Sequence, residues 1–422
     1  MQQNYRKRLS DNELQSALKA SGAVLIEGPK WCGKTSTAQH AARSSIYLQN
    51  PDKRAAFLAM ADAQPTLLLQ GDAPRLIDEW QMAPVLWDAV RYEVDRRRTV
   101  GQFILTGSTT PDESTIAHTG TGRIARLRMR PMSLLESGES TGHISLRALF
   151  DGNQNLNGGQ TTLSLTDIAG ALCRGGWPAT LNLPPHAALK TAQQYVESII
   201  HYDVSAVDDI QKDPERVRVL LRSLARNTAT TANFKTILDD LEASPKGLSD
   251  RTVSTYMHAL ERIFVVEDLP AWQPSLRSKT AIRTSPKRHF VDPSIAAAAL
   301  RVSPEALLQD FELFGLLFES LCTRDLRIFA QSLDGDVFHY RDKTGLEADL
   351  ILRLRDGRWG AIEVKLGQRA ADEAAKNLLK LSDRIDQMKT PAPSFLMILT
   401  ASEYAFQRPD GVWNVPLACL GN

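Results

Sequence analysis

Gly28-Pro29-Lys30-Trp31-Cys32-Gly33-Lys34-Thr35 sets glycines, a lysine and a hydroxyl at the spacing GxxxxGK[ST]. Glycines let backbone N–H groups wrap phosphates, Lys34 reaches the β- and γ-phosphates, and Thr35 offers a hydroxyl to Mg²⁺. All eight residues are therefore expected to cradle ATP. Downstream, Leu76-Ile77-Asp78-Glu79 ends an apolar run on two acids. Asp78 is expected to hold Mg²⁺ and Glu79 to polarise the attacking water. Alone, such a pair reads equally as a solvated strand end; behind this loop it reads as the Walker B partner.

Further candidates surround that cradle. Thr106 and Ser108 follow the apolar run Phe103-Ile104-Leu105 and either touch the γ-phosphate or its water, or form a simple turn. Arg123 is read either as an arginine finger supplied in trans to a neighbouring subunit of a homo-oligomer, or as a structural ion pair. Arg126, Arg128 and Arg130 alternate with Leu127 and Met129, which places the three guanidiniums on one strand face.

A second constellation lies near the end of the chain. Glu347-Ala-Asp349-Leu-Ile-Leu352 precedes a turn and then Trp359-Gly-Ala-Ile-Glu363-Val-Lys365-Leu366. Glu363 and Lys365 are two apart and share a strand face. A carboxylate, a hairpin and E-x-K form the pattern of metal-dependent nucleases. Asp349 and Glu363 would bind Mg²⁺ through hard oxygens, and Lys365 would orient the water or stabilise phosphorane-like charge. Glu319, inside the apolar run Phe314 to Leu321, needs a metal, a lysine or water to receive its charge. A lone E-x-K is also an ordinary solvated strand face with an ion pair.

Between these clusters, Pro270 to Val291 contains no acid but carries Arg277, Lys279, Arg283, Lys287 and Arg288, with Trp272 and His289. On a hairpin, the basic residues 277–288 would neutralise DNA phosphates as a wing does. The other reading is a solvated loop pairing with acids elsewhere. Ser249 can cap a helix with Val253, Met257 and Leu260 inward and Arg251, Ser254, Thr255, His258 and Arg262 outward, followed by a strand from Ile263. That order predicts a winged helix-turn-helix.

The elements that must position these groups alternate as in a doubly wound sheet: strands at Ala23–Ile26, Leu76–Ile77 and Phe103–Leu105, with Leu86, Val90 and Val94 at helical spacing between the last two. Ser10 and Glu13 suggest a capping box for a first helix. The expected fold is α/β multidomain. It has a P-loop AAA-like ATPase domain over 1–150, a helical segment over 151–215, a winged helix-turn-helix over 216–289 and a nuclease-like α/β domain over 290–422. The 422 residues, 43% hydrophobic, suffice for about three cores. Fifty basic against forty-nine acidic residues exclude a wholly basic nucleic-acid coat and an acidic disordered chain. Four scattered cysteines without a CxxC pair point to a reducing cytoplasm, and no run suits a membrane span.

Together GPKWCGKT, LIDEWQ, FILTGS, GRIARLRMRPMSLLE, RGGWPA, HYDVSAVDDI, FVDPSIA and FES…EADLIL…IEVKLG resemble a family of bacterial and archaeal AAA-like ATPases. Its members carry a C-terminal domain of unknown function with a PD-(D/E)XK-type end. The likeness runs from about Tyr5 to the final strands. It implies a Walker A at Gly28 to Thr35, a Walker B at Asp78 and Glu79, a winged helix, and nuclease-like groups at Glu319, Asp349, Glu363 and Lys365. Trp31 and Cys32 are bulkier than the residues frequent there, which points to slower turnover without removing a phosphate-binding group. The reading reached is an ATPase that binds DNA and couples nucleotide state to the nuclease-like domain. Its rival is a nucleotide-dependent switch or scaffold with a catalytically inactive one.

Overall fold

Ala23–Glu27 (β1) buries its first four residues, as expected for a non-alternating apolar run covered on both faces of a parallel sheet. The computed structural model describes residues 5–109, 119–153, 158–207, 212–242, 249–274, 285–385 and 390–422. The chain divides into two compact units: Met1–Pro131 with Ser205–Ile210 and Ala259–Phe264, and Met132–Val204 with Gln211–His258 and Val265–Asn422.

In the first unit the order is Ser10–Ala20 (α1), β1, Lys34–Ala41 (α2), Ser44–Tyr47 (β2), Arg54–Ala63 (α3), Pro65–Leu68 (α4), Arg75–Asp78 (β3), Val85–Arg97 (α5), Phe103–Gly107 (β4) and Ile124–Arg128 (β5). The five strands run parallel in the order β2-β3-β4-β1-β5, so β1 lies between β4 and β5. Alternate residues feed opposite faces. Leu25, Ile77, Phe103 and Leu105 pack with Leu86, Trp87, Val90 and Val94 of α5. Val24, Ile26, Leu76, Ile104 and Leu127 pack with Leu14 and Leu18 of α1 and Ala38 of α2. The expected capping box is not formed: α1 starts at Ser10 itself, and Leu9 precedes it as the cap residue. β2 goes unread in the sequence because Ser-Ser-Ile-Tyr carries one fully buried apolar side chain.

The second unit opens with Leu134–Ser137 (α6), Ile144–Ser145 (β6) and Leu146–Phe150 (α7), followed by Leu165–Arg174 (α8), Pro185–Ser198 (α9) and Pro214–Arg226 (α10). Phe234–Glu242 (α11) and Asp250–Arg262 (α12), whose residues from Ala259 onward are counted with the first unit, precede isolated antiparallel bridges between Val266 and Phe290 and between Leu269 and Lys287. On α12, Val253 and Met257 are buried, while Arg251, Ser254, Thr255 and His258 are exposed.

Pro293–Leu300 (α13) and Pro304–Leu307 (α14) lead into the long helix Phe311–Ser332 (α15). The chain continues through Gly335–Arg341 (β7), Glu347–Leu354 (β8), Trp359–Lys365 (β9), Ala371–Arg384 (α16), Phe395–Thr400 (β10), Phe406–Gln407 (β11), Trp413–Pro416 (β12) and Leu420–Gly421 (β13). β7, β8 and β9 form an antiparallel meander, and β10 returns parallel to β9 after α16. The sheet order is β11-β12-β10-β9-β8-β7. The last strand, β13, pairs parallel with β6.

A buried ionic hub supports this unit. Arg324 on α15 reaches Asp292 at 2.9 Å and Asp325 at 2.7 Å, all three nearly solvent-free. Asp292 also receives the backbone N–H groups of Gly176 and Ser294, and Asp325 that of Leu134. The RGGWPA and FVDPSIA stretches are thereby joined through side chains as well as packing.

Candidate functional sites

The segment after β1 turns at the C-terminal edge of the parallel sheet, the edge where ligands bind in open α/β folds. Gly33 (φ 101°) enters α2 through a left-handed conformation suited to glycine. A Cβ on Gly28 would stand 2.0 Å from the Met129 carbonyl oxygen, so the loop lies against the end of β5. Cys32 is buried with its Sγ 3.6 Å from the same oxygen, whereas Trp31 is half exposed. Arg8 donates to the Cys32 and Arg130 carbonyls, both at 2.9 Å. Lys34 is buried and donates to the carbonyls of Gly28 and Pro29 at 3.0 and 2.8 Å.

β3 delivers Asp78 at its end, fully buried. Its Oδ1 accepts from the hydroxyls of Thr35 (2.8 Å) and Thr106 (2.7 Å), and its Oδ2 from Gln49 (3.3 Å). Among the described residues no cationic side chain pairs with it. A buried carboxylate held only by neutral donors, beside a threonine hydroxyl, is a hard oxygen set that fits Mg²⁺. Glu79 adopts a left-handed backbone (φ 56°) fixed by its N–H to Thr106 Oγ1 at 3.1 Å. Its carboxylate accepts from Ser108 at 3.2 Å and closely from Gln81 Nε2. Thr106 thus engages both acids at once.

Gln49 went unread in the sequence, and Gln81, inside LIDEWQ, was given no role. The pairing of β2 with β3 brings Gln49 to Asp78, and the turn that follows Glu79 brings Gln81 back to it.

Arg123 stands elsewhere. Its carbonyl accepts from Ala23 N–H at the start of β1, so a strand of about 16 Å separates it from the loop end. Its guanidinium pairs with Asp95 at 2.9 Å. Within one chain it is an exposed ion pair and makes no contact with the cradle. β5 ends at Arg128, which leaves Arg130 beyond the strand.

In the second unit Glu319 of α15, Asp349 of β8, and Glu363 and Lys365 of β9 converge, and Lys287 joins them. Lys287 Nζ lies 2.6 Å from Glu319 Oε1 and 3.4 Å from Asp349 Oδ1. Lys365 Nζ lies 2.7 Å from Glu363 Oε2 and 3.4 Å from Asp349 Oδ2. Asp349 Oδ2 also accepts Val364 N–H at 2.9 Å, and Glu363 Oε1 accepts from Asn377 at 2.8 Å.

Burial, reinforced by the charge of Asp349, pushes Glu319 up to about 8 and Glu363 up to about 7. Burial opposes ionisation of Asp349 as well, yet Lys287 and Lys365 outweigh it and hold that carboxyl below its ordinary value. Every acid here has an ammonium partner. Among the described residues no group of three His, Cys, Asp or Glu is arranged to hold a metal ion. As arranged, this donor set does not fit Mg²⁺.

Of the basic run, the described cations Lys287 and Arg288 are taken up in ion pairs. Arg277, Lys279 and Arg283 lie outside the described residues. Lys287 is buried among the acids, and Arg288 pairs closely with Asp268 and donates to the Ala232 carbonyl. His289 is buried against Ser320, and Trp272 packs on Trp359. The partners come from other parts of the chain: α15 and β8 supply the acids at Lys287, and Asp268 the acid at Arg288.

Three family matches divide the chain. Residues 20–137 match an AAA domain, 165–306 a domain of unknown function (DUF8612), and 314–420 another domain of unknown function (DUF4143). Uncharacterized proteins of Mycobacterium bovis and Mycobacterium tuberculosis are each 23% identical over 362 residues, covering 83% of this chain and 72% of the relative. The Walker-type ATPase of Pyrococcus abyssi superposes with a TM-score of 0.42 at 14% identity, covering 71% of this chain and 97% of that one. The AAA domain match spans all five strands of the parallel sheet, so this sheet lies in the AAA-like part of an α/β multidomain chain. No helix among the described residues is long and apolar enough to cross a membrane.

Proposed function

We propose that the first unit binds Mg²⁺-ATP and hydrolyses it. The observation that carries this reading is the buried Asp78 carboxylate, held by Thr35 and Thr106 and without a cationic partner among the described residues, at the mouth of a GxxxxGKT loop. Backbone N–H groups of Gly28 to Thr35 cradle the phosphates, Lys34 leaves its carbonyl contacts for them, and Thr35 and Asp78 hold the ion. Mg²⁺, when bound, neutralises charge on the β- and γ-phosphates. Glu79, fixed by Ser108 and Gln81, orients the water. Phosphate release by wild type and Lys34→Ala tests this, and equal rates would remove the loop from the mechanism.

The C-terminal part is read as a PD-(D/E)XK nuclease-like domain over 290–422. Its order α15-β7-β8-β9-α16-β10 and the meeting of Glu319, Asp349, Glu363 and Lys365 support that reading. Segments 151–215 and 216–289 remain the helical and winged-helix parts, and DNA is the proposed partner of the latter through the exposed face of α12. The lysine neutralisation of all three acids favours the rival version, a nucleotide-dependent switch or scaffold that does not cut. Plasmid and branched DNA incubated with Mg²⁺ or Mn²⁺ separates the versions. Cleavage lost in Asp349→Asn supports the nuclease, and intact DNA with either ion supports the scaffold.

A further inference from the structure

Lys287 is fixed before its side chain is considered. Its N–H donates to the Leu269 carbonyl at 2.9 Å, and its carbonyl accepts from Leu269 N–H at 2.8 Å. The next residue is anchored twice more, Arg288 N–H to the Thr230 carbonyl at 2.8 Å and its carbonyl from Ala229 N–H at 2.7 Å. With the backbone pinned on both sides, the lysine stem enters the protein and leaves only 9% of the side chain exposed.

The ammonium then bridges carboxylates of two different elements, Glu319 on α15 and Asp349 on β8. Bridging acids from separate elements is the task a divalent ion performs in an oxygen-ligand site. Both oxygens of Asp349 and both of Glu363 accept hydrogen bonds from lysine, asparagine or backbone donors, which leaves neither acid a clear face for a metal. Two ammonium groups among three acids also remove the negative charge that draws a divalent cation.

We propose that Lys287 is the resident cation of this centre: its ammonium holds the position between Glu319 and Asp349 that Mg²⁺ or Mn²⁺ would need, so the native centre takes up neither ion. This rests on the nuclease-like reading of the domain, because only that reading makes the three acids a latent metal site. Lys287 is a positioning residue in this account. It keeps α15 and β8 together without a metal and leaves the centre non-cleaving.

The test is Mn²⁺ uptake by the full chain without nucleotide, measured by equilibrium dialysis and by the spectrum of protein-bound Mn²⁺ in electron paramagnetic resonance. Wild type is expected to bind no Mn²⁺ that Asp349→Asn abolishes. Lys287→Met is expected to gain Mn²⁺ at least about tenfold more tightly than wild type, and Lys287→Met with Asp349→Asn to lose the gain. If Lys287→Met alone does not fold because two acids are left facing each other, Lys287→Met with Glu319→Gln relieves the repulsion and keeps Asp349 and Glu363. Mn²⁺ bound by wild type and lost in Asp349→Asn overturns the proposal while the nuclease-like reading stands. No Mn²⁺ gained by either folded lysine variant overturns both.

Discussion

Thr35 Oγ1 donates to Asp78 Oδ1 at 2.8 Å, joining the first turn of α2 to the end of β3. The two ligands proposed for Mg²⁺ are thus aligned by the fold, and Thr106 donates to the same carboxylate oxygen at 2.7 Å. Asp78→Asn keeps the size and loses the charge, and is expected to lower ATP turnover at saturating Mg²⁺-ATP by about a hundredfold or more. Thr35→Ser, which keeps the hydroxyl, is expected to stay within about threefold of wild type. Steady-state phosphate release measures both, and an Asp78→Asn enzyme running at the wild-type rate would refute the role.

Glu79 is aimed by Ser108 and Gln81, not by its own backbone alone. Ser108→Ala and Gln81→Ala are each expected to lower kcat roughly tenfold with KM for ATP nearly unchanged, since they act on the water-orienting acid and not on nucleotide contacts. A rise in KM at constant kcat would instead place these side chains in ATP binding.

Arg324 has two buried carboxylate partners, and removing it strands both charges. Arg324→Met is expected to destabilise the second unit by about 3–5 kcal/mol in urea unfolding. Arg324→Lys is expected to recover little of it, because one ammonium cannot serve the geometry that the forked guanidinium serves. Wild-type unfolding midpoints for Arg324→Met would show the hub to be energetically idle.

Two buried imidazoles set an acid limit. Burial, with the positive charge of Lys287 added, holds His339 down at about 4, and burial holds His289 well below its ordinary value. The unfolded chain therefore takes up protons that the folded chain refuses. Stability from these groups is complete above about pH 6.5 and falls as pH drops through 6 and 5 toward 4. The raised carboxyls of Glu319 and Glu363 titrate in the opposite sense over the same interval, so the effect is read as a difference: the urea midpoint of His339→Gln is expected to rise relative to wild type as pH falls from about 7.5 to 5. A difference between His339→Gln and wild type that stays constant across that interval contradicts the assignment.

The phosphate loop was legible because its chemistry is written in eight consecutive residues, and Asp78 and Glu79 because an apolar strand ends on them. Asp349, Glu363 and Lys365 were legible as a set through the alternation of one hairpin. Lys287 was not: beside Arg283 and Arg288 it reads as one more solvated cation, and only the return of α15 and β8 makes its surroundings acidic. Arg324, Asp292 and Asp325 were likewise invisible as a hub, since local sequence shows three charges but not the burial that makes each depend on the others. Gln49 needed the strand order, which parallel pairing sets across long sequence separations, whereas Gln81 needed only the turn after β3 that brings its amide back to Glu79.

The closing pair of strands bears on how such a chain is born. Ser145 Oγ donates to the Asn422 carbonyl, 277 residues away, and Ser140 Oγ to that of Leu420. During synthesis, β6 and its flanking turn leave the ribosome long before β13 is translated, so this corner of the second unit waits unpartnered while everything between is made. That seam closes only after the helices and strands lying between its two halves have been made.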